Sequence, residues 1–136
     1  LSLLGKKKIK MPFVGPDGLN GDGFMKIAGK DAEGVYATGP KDVSKLPLNV
    51  KAHDDYKAKY GKEPGTFFDQ AYAAMLAALN AIKVAGGTDY AALSKALKSS
   101  KVDTNIGTIK FDAKGDAEGV GFSVYQVKGG AFTEVK

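Results

Sequence analysis

Between Thr66 and Ala85 the large apolar residues recur at helical spacing: Phe68, Tyr72, Met75, Leu76, Leu79 and Ile82 form one continuous stripe. Gly86-Gly87 stops the run. Alanine fills the remaining turns, which suits close packing on a sheet or another helix. A helix of this length gains most of its stability by burying its apolar face, so the fold must supply a surface to cover the stripe.

The flanking segments alternate between two periods. Met11 to Val14 is a short apolar run read as a buried strand, ended by the turn Gly15-Pro16-Asp17-Gly18. Residues from about Gly21 to Ala28 suit a short helix with Phe24, Ile27 and Ala28 on one side. Gly34 to Thr38 reads as a second strand, stopping at Gly39-Pro40, a candidate linker. From Leu48 the spacing of Val50, His53, Tyr56 and Tyr60 predicts a helix closed by Gly61. Thr88 is read as the cap of a third helix, with Tyr90, Leu93 and Leu97 on one face. From Thr104 the period becomes two. Ile109 and Phe111 precede a turn at residues 112–116. Val120, Phe122 and Val124 share one face of a strand over 120–127, and Gly129-Gly130 leads into a last strand over 131–135. The order is strand, helix, strand, three helices, strand, hairpin: an α/β chain.

Composition removes several classes of function. The 136 residues are one domain's worth of chain or part of something larger. The absence of cysteine excludes disulfides, thiolate metal sites and cysteine nucleophiles. One histidine, His53, leaves no multi-histidine metal site and makes a Ser-His-Asp triad improbable. No acid/base pair supports an enzyme, and no cofactor motif is present: the glycine-rich stretch from Gly15 to Gly23 lacks G-x-G-x-x-G spacing and a phosphate-loop lysine. The net charge of +5 rests on 20 basic residues, all lysine. Without arginine, and with no aromatics interleaved among Lys6, Lys7, Lys8 and Lys10, the charge suits solubility better than nucleic-acid binding. The longest nearly apolar run, Ala71 to Leu79, is too short to span a bilayer. Leu1 to Leu4 is too short for a signal-peptide core. The chain is expected to begin partway through something, in the last turn of a helix.

Asp17 has the best case for a binding role. It follows a strand between Pro16 and Gly18, with no lysine beside it, where a carboxylate can accept charge-assisted hydrogen bonds from an amine. On local sequence alone, stabilising its own turn stands slightly ahead. Phe68 continues the helical stripe, leaving its neighbour Phe67 free to cover a cavity. His53 is expected as a hydrogen-bonded core histidine. Asp54-Asp55 reads as a solvated face, and Asp112 with Asp116 as a plain turn that lacks the ligands of a calcium loop.

Pro12-Phe13-Val14-Gly15-Pro16-Asp17-Gly18, then Ala32-Glu33-Gly34-Val35, then Phe67 to Met75, then Phe111-Asp112-x-x-Gly115-Asp116 resembles the leucine/isoleucine/valine-binding proteins. These are the periplasmic receptors of branched-chain amino acid ABC importers. The match runs in order along nearly the whole chain but covers only the C-terminal part of the family. The resemblance implies part of a two-lobed type I periplasmic-binding-protein fold. Residues 1–38 would belong to the second lobe, 39–40 to a hinge, 41–118 to first-lobe helices and a strand, 119 to another hinge, and 120–136 to a second-lobe hairpin. It implies that Asp17, where the family more often has glutamate, binds the ligand's α-ammonium, and that Phe67 walls the side-chain pocket. No cofactor is implied. The expected partners are a free amino acid, the transporter's membrane permease, and the missing N-terminal part or another copy of the chain. The expected location is periplasmic or membrane-tethered outside the cytoplasm. A sensory domain of a signalling receptor, or an amide or urea receptor of the same fold, is the alternative. Because most of the sheet that would cover helices 49–99 is absent, the chain is not expected to fold as an isolated monomer.

Overall fold

The computed structural model describes residues 1–135. In chain order the elements are α1 (Ser2–Lys6), β1 (Val14–Gly15), α2 (Asp22–Ala28), β2 (Tyr36–Pro40), α3 (Pro47–Tyr60), α4 (Phe68–Ala85), α5 (Tyr90–Ser99), β3 (Val102–Thr104), β4 (Gly107–Phe111), β5 (Ala117–Glu118), β6 (Phe122–Lys128) and β7 (Ala131–Glu134). Short 3₁₀ turns occupy Asp17–Leu19 and Gly29–Ala32. The chain divides into two compact units. One comprises Leu1–Asp42 with the stretch from Gly121 onward, the other Val43–Val120.

The first unit is built on a four-stranded sheet in the order β1-β2-β6-β7. β1 and β2 pair in parallel, with α2 in the connection between them, and the other pairs are antiparallel. Its core is Ala32, Val35 and Val127, with Leu19, Phe24, Met25 and Phe132 packed against them. The β6–β7 hairpin turns at Gly129-Gly130, both at positive φ. Glu33 accepts both of their N–H groups, tying the turn back to the segment before β2. β2 runs two residues past the strand end that the sequence suggested. Gly39 and Pro40 pair with Ser123 and Phe122 instead of breaking the strand. Gly39 permits this because a Cβ there would meet Asn20 Nδ2 at 2.6 Å and the Tyr125 ring at 3.1 Å. The Tyr125 hydroxyl donates to the Pro40 carbonyl at 2.5 Å. Burial, with the Glu134 and Asp42 carboxylates, pushes that phenol above its ordinary value, so it stays a donor. β1, by contrast, is only two residues long, and Met11 to Phe13 lie exposed before it.

In the second unit α4 packs against α5 and β3. The face it buries is the alanine row Ala73, Ala77 and Ala81, while Tyr72, Met75, Leu79 and Ile82 face outward and Phe68 and Leu76 are partly buried. Met75 is 60% exposed and Leu79 54%, with Tyr72 and Ile82 also open. Small side chains let two helices approach closely, so alanine takes the interface. α5 begins one residue later than read. Asp89, not Thr88, is its cap, its Oδ1 accepting from Ala92 N at 3.0 Å. Tyr90, expected on one face with Leu93 and Leu97, is 84% exposed at the helix start, while those two leucines are partly buried. The sequence reading lacked β3, which pairs with β4 across the two-residue turn Asn105-Ile106. β5 adds a third strand, with Lys110 and Glu118 paired across the edge.

The turn after β4 is a plain turn, as expected. Asp112 Oδ1 accepts from Lys114 N, Gly115 N and Asp116 N at 2.8, 2.8 and 2.9 Å. The Asp116 N–H foremost, then those of Lys114 and Gly115 and the Lys98 charge, hold the carboxyl below its ordinary value against the opposing effect of desolvation. Because the folded value is depressed, the turn is fully stabilised above the ordinary aspartate range and loosens as pH falls through the folded value. In an NMR titration Asp112 should protonate at lower pH than a free aspartate. Amide protection at residues 114–116 should fall with it and be lost in Asp112→Ala. Titration at or above the ordinary value would contradict the geometry.

Candidate functional site

Asp17 lies just past the carboxyl end of β1, where it opens the short 3₁₀ turn after Pro16. Pro16 presets the turn: its carbonyl accepts from Leu19 N at 2.9 Å, and the Asp17 carbonyl accepts from Asn20 N at 2.9 Å. Gly15 lets Leu19 lie close, since a Cβ there would meet Leu19 Cδ2 at 2.5 Å and make that side chain shift. The side chain takes up one local bond, Gly18 N to Oδ1 at 2.8 Å. The turn-stabilising role weighed from the sequence is therefore real, and it occupies one carboxylate oxygen. Among the described residues no lysine forms an ion pair with Asp17. Beside this turn lies an open apolar hollow of about 550 Å³ that includes Phe13, Leu19, Phe24 and Ile27 in its lining.

Phe67 belongs to the other unit and precedes the first residue of α4. Its backbone is left-handed, with φ 65° and ψ 8°. For a bulky residue without a compensating local bond this is an outlier that costs about 1–3 kcal/mol. The ring is 45% exposed, so packing of Phe67 itself offsets little of that cost. Its neighbour Phe68 points elsewhere, as expected. The ring stacks edge-on with His53 and Tyr56 and lies 5.7 Å from Tyr72. The sequence offered no sign of the left-handed turn, because phenylalanine is a poor candidate for it.

His53 is hydrogen-bonded as expected but only half-buried. Its Nε2 donates to Asp69 Oδ1 at 2.7 Å. Asp69 and Asn105 are the residues that sequence reasoning missed. Asn105 is fully buried in the β3–β4 turn, and its Nδ2 donates to the Asp69 carbonyl at 3.1 Å. Neither had a motif to announce it. Among the described residues no group of three or more metal-binding side chains occurs, and no helix is long and apolar enough to cross a membrane.

The strain at Phe67 can be tested directly. Asparagine tolerates the left-handed region, so Phe67→Asn should raise stability against urea by up to about 1 kcal/mol. A loss of more than about 1 kcal/mol would show that the ring packs productively instead.

Comparison with known proteins gives these observations a common setting. Residues 4–131 match the model of a family described as periplasmic binding protein. A Leu/Ile/Val-binding protein of Citrobacter freundii is 35% identical over 117 residues, which is 86% of this chain and 31% of that protein. A leucine-, isoleucine-, valine-, threonine- and alanine-binding protein of Pseudomonas aeruginosa is 35% identical over 125 residues, 91% of this chain and 34% of that one. The chain therefore spans about a third of the length of the curated relatives it matches. Among solved structures, a leucine-binding protein from Thermotoga maritima superposes with a TM-score of 0.82 at 26% identity, over 98% of this chain and 39% of that one. A solute-binding protein of R. palustris in complex with benzoate gives 0.72 at 23% identity, over 96% and 36%, a likeness of fold alone. On the family match and the shared α/β architecture, the chain belongs to the periplasmic binding proteins, with the type I fold of that family.

Proposed function

We propose that the chain serves as part of the solute-binding component of an ABC importer, capturing a branched-chain or related amino acid outside the cytoplasm. Its 35% identity to proteins named for binding leucine, isoleucine and valine carries this reading. The unit from Val43 to Val120 is assigned to the first lobe and the remainder to the second, with the ligand held in the cleft of the complete receptor. Asp17 receives the α-ammonium on the carboxylate oxygen that its own turn leaves free, and Phe67 walls the side-chain pocket. The ammonium–carboxylate pair supplies orientation more than net energy, because desolvating two charges offsets much of their attraction. Apolar contact supplies selectivity at roughly 0.8 kcal/mol per buried methylene. Ligand binding then favours a closed arrangement that the membrane permease reads.

The exposed stripe of α4 supports a further part of this reading: the remaining portion of the receptor, or another copy of the chain, covers it. Tyr72, Met75, Leu79 and Ile82 are about half open, so covering them offers roughly 3–6 kcal/mol before the costs of association.

The benzoate-bound neighbour carries an acid without an ammonium group, which supports reading Asp17 as the residue that would discriminate between the two kinds of ligand. The test is a chimera in which this chain replaces the matching segment of the Citrobacter relative, titrated calorimetrically. It should bind L-leucine and reject 4-methylpentanoate, which lacks the ammonium. Asp17→Asn should weaken leucine about 10- to 100-fold, the worth of one charge-assisted hydrogen bond. Equal binding of both acids, or no effect of Asp17→Asn, would overturn the assignment.

A further inference from the structure

Phe67 holds an unfavourable backbone conformation, yet its own ring is too exposed to impose it. What fixes it must lie in the residues around it. Three contacts converge on the next two positions of the chain. His53 on α3 donates to the Asp69 side chain at 2.7 Å. Asn105, from the β3–β4 turn, donates to the Asp69 carbonyl at 3.1 Å. Phe68, between them in sequence, is held by the rings of His53 and Tyr56 at 5.2 and 5.0 Å. Asp69 is thus gripped from both sides, by two elements far away in sequence. On the other side of the corner, Phe68 N donates to the Gly65 carbonyl at 3.2 Å and closes the turn that leads in. With both flanks tied, Phe67 is the residue left to absorb the change of direction.

Asn105 sharpens the point. Its side chain is fully buried, and its Oδ1 has no partner among the described residues. A buried amide with an unsatisfied oxygen is a poor way to fill a core. The one bond that Asn105 Nδ2 makes to the first turn of α4 is therefore its distinguishing contribution.

We propose that His53 and Asn105 are positioning residues for the ligand pocket: acting through Asp69, they lock the first turn of α4 and hold Phe67 in its left-handed conformation, its ring presented outward. The ligand side of this statement rests on the reading of Phe67 as a pocket wall, whereas the conformational side stands without it.

The test uses the full 136-residue chain, labelled at phenylalanine and observed by NMR. A strong intraresidue HN–Hα cross-peak marks the positive φ of Phe67. His53→Phe keeps an aromatic ring against Phe68 but removes the donor, and Asn105→Leu keeps the volume but removes the amide. The double variant should lose the positive-φ signature of Phe67. His53→Gln, which places an amide nitrogen near the position of Nε2, should retain it and serves as the conservative control. If the double variant keeps the signature, the proposal is overturned. In the leucine-binding chimera the same double variant should bind about tenfold more weakly. Loss of the signature with leucine affinity unchanged would support the anchoring by Asp69 and overturn its role in ligand binding. Failure of Phe67→Ala to alter leucine affinity in the chimera would instead overturn the pocket reading of Phe67 itself.

Discussion

The contact on which the second unit depends is the alanine row of α4 against α5 and β3. Residues 73, 77 and 81 carry a single methyl each, so the backbones come close, and the packed face is given to shape more than to apolar area. The consequence is on the opposite side. Most of the stripe of large apolar residues, Tyr72, Met75, Leu79 and Ile82, is turned outward. A helix apolar on both faces belongs between two layers, and here one layer is present. Under the proposed function, that second layer comes from the rest of a receptor of this family.

The two candidate binding residues are linked to the fold through backbone geometry. Asp17 is displayed by Gly15 and Pro16, one allowing Leu19 to approach and the other setting the turn. Phe67 is displayed by a strained corner whose flanks are tied to α3 and to the β3–β4 turn. In both cases the residue with the best functional case is not itself well packed, and the neighbours hold it. Such a division suits a binding protein, in which the contact surface must stay open while its supports stay fixed.

Much of this was legible in the sequence. The helices over 47–60 and 68–85 were readable because each ends at a glycine, Gly61 and Gly86, that adopts the left-handed conformation, although only the second carries a sustained apolar period. The turn at Asp112 and the final hairpin were readable from their glycines. The close packing of the α4 alanines was legible too, whereas the exposure of Tyr72, Met75, Leu79 and Ile82 was not, because nothing in their spacing says whether a second layer covers them. β3 was missed because three residues give too little period to see, and the extension of β2 through Gly39-Pro40 depends on a partner strand eighty residues later. Asp17 was found by its place after a strand. The Asp69 anchor was not, since its two partners come from distant elements and each looks ordinary in isolation.

The central claim is that this chain carries an apolar helix face built to be covered by further receptor structure. The most direct measurement is a native mass spectrum of the purified protein. The account predicts species heavier than the 14.2 kDa chain, either a companion segment or additional copies, with a retained mass equal to leucine or valine where the pocket is complete. A lone, compact 14.2 kDa monomer without ligand, stable at micromolar concentration, would contradict it.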